Sequence, residues 1–220
     1  MAAPSMRERY REAVRTAVIE TAHEHISERG WDRVRMSEIA EAAGISRAFL
    51  YKEFGDKAGL GEAVVLREAS RFIDGIEEVL AHQGSDAAVG LAAAVEYVLR
   101  EADRSTLLRA VLISHQDSAP VANGILPLLT TSAQLLHLAS ESLASWLASR
   151  VPSLKGGEAV DTADALVRLT VSHLALPALS REEAATKITE VGLRYLGLSS
   201  PERINLVTRA VRSLRHAELL

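Results

Sequence analysis

The sequence predicts an all-α protein, a small three-helix head followed by a larger helical body. Apolar residues recur at steps of three and four along almost every segment. The period-2 alternation of half-buried strands is absent. Capping residues stand where the helical patterns begin: Ser5 with Glu8, Asp56, Ser180 with Glu183, and Ser200 before Pro201.

In chain order, Tyr10, Val14, Ala17, Val18, Ala22 and Ile26 form the apolar stripe of a first helix from Arg7 to Glu28, ended by Gly30. Two short helices follow, Met36 to Ala43 and Ser46 to Glu53, split by Gly44. Asp56 caps a long helix to about Ala81, with Leu60, Val64, Phe72, Ile76, Val79 and Leu80 apolar, and Gly84-Ser85 breaks it. Helices near 86–102 and 105–115 precede a kinked stretch around Pro120, Gly124 and Pro127. A long helix then runs from about Leu128 to Ser149, and Val151 to Gly157 forms a loop. A helix near 158–176 stops at Pro177, the next runs from Ser180 to Gly197, and a last one starts at Pro201. The total is nine or ten helices, without internal repeat or low-complexity tract.

The 220 residues suffice for a sizeable core, and 48% apolar with 25% charged residues is ordinary for a globular protein. Zero Cys excludes a disulfide framework, a Cys-based zinc site and a Cys nucleophile. The longest greasy stretch, Ile125 to Ala139, is interrupted by Pro127, Thr130, Thr131, Ser132, Gln134 and His137, so no membrane span is expected. Acids interleave with Arg7, Arg9, Arg11 and Arg15, which argues against a signal peptide; a cytoplasmic protein is the expectation. Residues 1–60 balance ten Lys or Arg against ten Asp or Glu, and the net charge of -4 lies in the remainder. That excludes a protein that coats nucleic acid indiscriminately and leaves room for a local basic face.

The informative stretch is Met36 to Leu60, MSEIAEAAGISRAFLYKEFGDKAGL. Ala40 is small enough for one short helix to cross another closely. Gly44 suits a turn of positive φ. Ile39, Ala43, Ile45 and Leu50 supply the apolar wedge. This is the spacing of a helix-turn-helix, whose second helix enters the DNA major groove. Ser46 stands to cap that helix, and Arg47, Tyr51 and Lys52 project from it, suited to phosphate or base edges. The same spacing also fits a plain helical hairpin packed into a core.

Together with Phe54, Asp56-Lys57 and Leu60, the run resembles the N-terminal signature of the TetR family of bacterial transcriptional regulators, over about residues 7–65. The resemblance implies a DNA-binding domain over residues 1–56 and a ligand-binding and dimerisation domain over 57–220. It implies phosphate contacts from Tyr51 and Lys57. Ser46, Arg47, Ala48 and Lys52 would lie on the recognition helix facing the operator. The family commonly has Thr where Arg35 stands, capping the second helix. Here either Ser37 takes over or Arg35 reaches a phosphate. Phe49 replaces a small residue and either presses on thymine methyls or turns inward.

For the body, the resemblance implies a pocket within about residues 56–150 and release of DNA by a small molecule, which the apolar residues Leu108, Val111, Leu112, Leu135 and Leu138 suggest is mostly apolar. The candidates are Tyr97, Leu108, Leu112, His115, Gln134, His137 and Trp146, with Gln116 and Asn123 as further polar groups. Val111, Leu135 and Leu138 add apolar lining. Gly59 and Gly61 stand near the junction, as tilting points or as close packing. The resemblance also implies a homodimer through the helices near 158–176 and 182–196, with Leu166, Thr170, His173, Leu174, Ile188 and Val191 at the interface.

No cofactor and no metal are expected. His23 and His25 lie two apart and point about 200° from each other on a helix, whereas zinc sites on one helix use i, i+4. His115, His137 and His173 lie on three predicted helices, and nothing in their spacing demands a metal. No catalytic motif is present, so an enzyme is not expected. The competing classes are a TetR-like ligand-binding or protein-interaction module without operator binding, and a helical enzyme with an apolar pocket.

Overall fold

The computed structural model of the protein describes residues 5–82, 86–105, 107–108, 126–154 and 157–216. The expected helix near 105–115, the kinked stretch at 120–127 and the break at Gly84-Ser85 lie almost wholly outside these residues.

Among the described residues the chain forms nine α-helices: α1 (Met6–Arg29), α2 (Met36–Ala42), α3 (Arg47–Phe54), α4 (Lys57–His82), α5 (Ala87–Arg104), α6 (Leu126–Arg150), α7 (Glu158–Ala175), α8 (Arg181–Tyr195) and α9 (Pro201–His216). A short 3-10 turn, Trp31–Arg33, follows α1. No strand occurs among the described residues. The capping signals act locally as the sequence predicts. At Ser5 and Ser180 the hydroxyl accepts from the N–H three residues on, and Glu8 and Glu183 reach back to the cap's own N–H. Asp56 accepts from the Gly59 N–H at 2.9 Å, and Ser200 from that of Arg203 at 3.3 Å.

The described residues fall into two compact units, one comprising residues up to Glu68 with 126–128, the other beginning at Ala69 and taking in most of the rest. The first unit runs past residue 56, where the sequence places the domain boundary. Its core reaches into the first turns of α4, where Leu60 and Val64 are buried, and Arg67 pairs with Glu20 at 3.3 Å.

In the second unit α5 packs against α7, α8 and α9. Its sequence AAVGLAAAV is small and apolar on nearly every face, as a helix enclosed by others must be. Gly90 sits directly beneath the Trp146 indole, where an added Cβ would collide with the ring. Among the described residues of this unit one charge is buried: the Glu96 carboxylate meets the Arg181 Nε at 2.9 Å, and Arg181 also lies 3.7 Å from Asp103. Removing one partner of a buried pair leaves the other charge desolvated. Arg181→Ala is therefore expected to lower the unfolding free energy by about 3–5 kcal/mol, read from urea midpoints. Arg168→Ala, which removes only the exposed pair with Asp164 at 2.7 Å, should leave the midpoint almost unchanged.

The α8 cap adds a pH dependence. Hydrogen bonds from the Ser180 hydroxyl at 2.7 Å and backbone N–H at 3.0 Å hold the Glu183 carboxyl below the usual glutamate range. The folded group thus binds its proton less readily than the unfolded one. Its contribution is complete above the ordinary glutamate value and is lost as pH falls through the folded one. Glu183→Gln is expected to flatten the acid limb of the stability curve below about pH 4.3, measured by thermal unfolding.

Candidate nucleic-acid interface and apolar cavity

The head is built around the α2–α3 turn. Gly44 takes φ 66, a conformation that strains any side chain, and the Ile45 N–H donates back to the Ala40 carbonyl at 2.9 Å. Ile39, Ala40 and Leu50 are buried between the helices, whereas Ala43 and Ile45 are half-buried at the edge. The Ser46 hydroxyl accepts from the Phe49 N–H at 3.1 Å and caps α3. Arg35 occupies the cap position of α2, and no side chain caps it, so Ser37 does not take over that role.

This packing leaves Arg47, Ala48, Tyr51 and Lys52 exposed along α3, with Tyr51 half accessible. Phe49 is half-buried on the edge of that surface. Lys57 opens α4 in a fixed place. Its ammonium lies 4.9 Å over the Trp31 ring and donates to the Asp32 carbonyl at 3.3 Å. Gly59 and Gly61 are close-packing positions. An added Cβ at Gly59 would meet the Phe54 carbonyl, and one at Gly61 the Trp31 ring.

Two contacts that sequence reading missed fix α3 against α1. The Arg11 Nε lies 2.9 Å from the Glu53 carboxylate, which is buried beneath it. The Arg15 guanidinium lies 4.8 Å over the Phe54 ring. The i, i+4 spacing of Arg11 and Arg15 was the available signal; their partners were not legible.

In the body, α4, α5, α6 and α7 enclose a narrow cavity of about 50 Å³. Its wall is formed by Phe72 and Ile76 of α4, Leu91, Ala94, Val95 and Val98 of α5, Leu135, Leu136, Ala139 and Leu143 of α6, and Leu166, Val167, Thr170 and Val171 of α7. Among the described lining residues Thr170 is the one with a polar side chain, and its hydroxyl already donates to the Leu166 carbonyl at 2.8 Å.

Most expected ligand groups lie elsewhere. Gln134 and His137 face solvent, and His137 sits 3.4 Å from Glu141. Tyr97 stacks on Phe72 with centroids 6.0 Å apart, under the Arg100 guanidinium. Leu108 is buried away from the cavity wall. Trp146 is buried, and its indole N–H donates to the Leu80 carbonyl at 2.9 Å in the last turn of α4. With Leu138 it lines a wider open cleft of about 530 Å³ edged by Glu77 and Glu141. Leu112, His115, Val111, Gln116 and Asn123 lie outside the described residues. Among the described residues no His, Asp or Glu cluster suits a metal, and no helix is long and apolar enough to cross a membrane.

Of the expected dimer contacts, Leu166, Thr170, Leu174 and Ile188 are buried inside this chain. His173 is half-buried and Val191 exposed. The accessible apolar groups on α7 and α8 are Val160, Val191 and Tyr195.

A helix-turn-helix with an exposed cationic second helix, joined to an all-helical body with a hydrocarbon-lined cavity, defines a DNA-binding transcriptional regulator. Residues 18–64 match the family model described as bacterial regulatory proteins, tetR family, and residues 86–194 match that of the bacterial tetracyclin repressor C-terminal domain. The chain belongs to the TetR family. It is 28% identical over 199 residues to the HTH-type transcriptional regulator AlkX of Mycobacterium tuberculosis, covering 86% of this chain and 90% of the relative. The crystal structure of the TetR family repressor AlkX from a Dietzia strain, implicated in biodegradation of n-alkanes, is also 28% identical. It superposes with a TM-score of 0.61 over 82% of this chain and 96% of that one. A TetR-family transcriptional regulator from Streptomyces coelicolor shares the fold, with a TM-score of 0.60 at 19% identity over 92% and 89% of the two chains.

The α3 cap and turn supply a direct test. Ser46→Ala should cost about 1 kcal/mol of stability through the lost cap. Gly44→Ala should cost at least that much through its positive φ. Both are measurable by chemical denaturation.

Proposed function

We propose that the protein is a ligand-responsive repressor. It binds an inverted-repeat operator as a homodimer and is released by a small, mostly apolar molecule. The observation that carries this reading is the cavity: a wall of hydrocarbon in which α4, the helix that begins at Lys57, takes part. Its one hydroxyl is already bonded, so nothing in the described wall rewards a charged ligand. The likeness to an AlkX repressor implicated in n-alkane biodegradation supports an alkyl-chain ligand.

The volume bears on the mechanism. About 50 Å³ is far below the roughly 300–1,000 Å³ of ligand sites. An alkyl ligand therefore enters only as the helices part, and it favours the state in which they are apart. Ligand shifts an equilibrium only by such a differential affinity. A tenfold loss of operator affinity needs about 1.4 kcal/mol of it. On this reading Arg47 and Lys52 meet bases or phosphates, Tyr51 and Lys57 meet phosphates, and Arg35 reaches the backbone from the uncapped start of α2. The dimer forms through α7 and α8, with Val160, Val191 and Tyr195 as the apolar part of the contact. The reading places the protein in the cytoplasm, with its DNA.

Two variants test the reading on the chain's own upstream DNA, by fluorescence anisotropy. Tyr51→Ala with Lys57→Ala should weaken binding to all sequences similarly; unchanged binding would remove α3 from the DNA. Ala94→Val, which adds bulk at the cavity wall, should keep operator binding and abolish release by medium-chain n-alkanes. Retained release would move the ligand to another site.

A further inference from the structure

The first turns of α1 are more exposed than packing within the head explains. Every residue from Ser5 to Ala13 is exposed, with Met6 at 77% and Tyr10 at 72%. Yet this segment is well-formed helix, held at its start by the Ser5–Glu8 capping box. One face of α1 carries Arg7, Arg11, Arg15, Val18 and Ala22 at steps of four, four, three and four. Val18 and Ala22 are buried in the head. Arg15 lies over Phe54, and Arg11 is fixed on Glu53, so α3 covers the middle of this face. Arg7 is the next position along. It stands about 6 Å beyond the Arg11–Glu53 pair at ~1.5 Å per residue. Among the described residues it has no ion-pair or side-chain hydrogen-bond partner, and Glu8 is committed to the cap. A guanidinium is thus carried on a rigid helix beyond the pair that fixes α1 to α3, at the end of α1 opposite to the one where Lys57 rests on Trp31.

We propose that Arg7, flanked by the Tyr10 phenol, contacts the DNA backbone outside the groove that α3 enters, extending each half-site by a sequence-independent phosphate contact. This rests on the operator reading above. Arg suits the role because its planar fork meets phosphate oxygens with two donors. Such contacts set register on the duplex and carry no base preference. The contact would occur twice in a dimer.

The test measures operator affinity against salt for the full-length wild type, Arg7→Ala, Arg7→Lys, Tyr10→Phe and Arg209→Ala. Each is run on the complete operator with long flanks and on a duplex trimmed to the core half-sites. Arg7→Ala is expected to weaken binding to the long duplex roughly tenfold at low salt and to reduce the salt slope by about 2, near 0.9 per lost phosphate contact. It should match wild type on the trimmed duplex. Arg7→Lys should recover most of the loss, and Tyr10→Phe should lose a smaller factor, on the long duplex only. Arg209→Ala, the same change of net charge on α9 of the body, should behave as wild type. Equal affinity of wild type and Arg7→Ala on the long duplex overturns the proposal. So does an equal loss from Arg7→Ala on both duplexes, which would place its effect within the head. Failure of wild type itself to bind any operator specifically would instead overturn the operator reading, and this contact with it. Circular dichroism confirms that each variant is folded.

Discussion

The body depends on the close approach that α5 permits. A helix surrounded by others exposes no polar stripe, and the short end of the roughly 8–10 Å range of interaxial distances is reached only where side chains at the crossings are small. Ala88, Gly90, Ala92, Ala93 and Ala94 supply that condition along the centre of α5. Gly90 admits the Trp146 indole, and Leu91 and Leu166 both reach the position of Gly192 on α8. Where the packing is less tight, next to Ala94 and Val98, the apolar cavity opens. Tight and loose packing thus arise on one helix, and the small residues that make the scaffold also leave the space that the proposed ligand fills.

The head solves a different problem. A recognition helix of eight residues is too short to be stable alone, so its pose must come from tertiary contacts. Leu50 and Phe54 anchor it from below, the Ser46 cap defines its start, and α1 restrains its far end through Arg11 and Arg15. Arginine serves both sides of this arrangement. Its hydrocarbon stem and planar cation pair with a buried carboxylate and an aromatic face, leaving the outward face of α3 to Arg47 and Lys52.

What was legible in the sequence was local. The capping boxes at Ser5 and Ser180, the turn at Gly44, the Ser46 cap and the ends of most described helices follow from side chains three or four positions apart. The helix-turn-helix was legible because its whole signature fits within one short run. The body was legible as helices and not as a site. Periodicity tells which residues share a face, but not which face meets a neighbour. Gln134 and His137 therefore looked like pocket groups and lie in solvent, while Ala94, Val95 and Val98 carried no chemical mark and line the cavity. The faces of α7 and α8 posed the same ambiguity. Leu166, Thr170, Leu174 and Ile188 close the chain's own core, and a smaller set faces outward. Glu96–Arg181 and Arg11–Glu53 join residues far apart in sequence, where no spacing rule applies.

The two tryptophans divide between the two units. Trp31 is half-buried in the head, under the Lys57 ammonium and against Gly61. Trp146 is buried in the body, its indole N–H held by the Leu80 carbonyl. They make intrinsic fluorescence a signal with two separately located sources. Emission from Trp31 reports on the residue proposed to hold phosphate, and emission from Trp146 on the helix crossings around α5. With one or the other replaced by Phe, the same unlabelled protein can show whether DNA and ligand are each sensed only where they bind or also in the other unit.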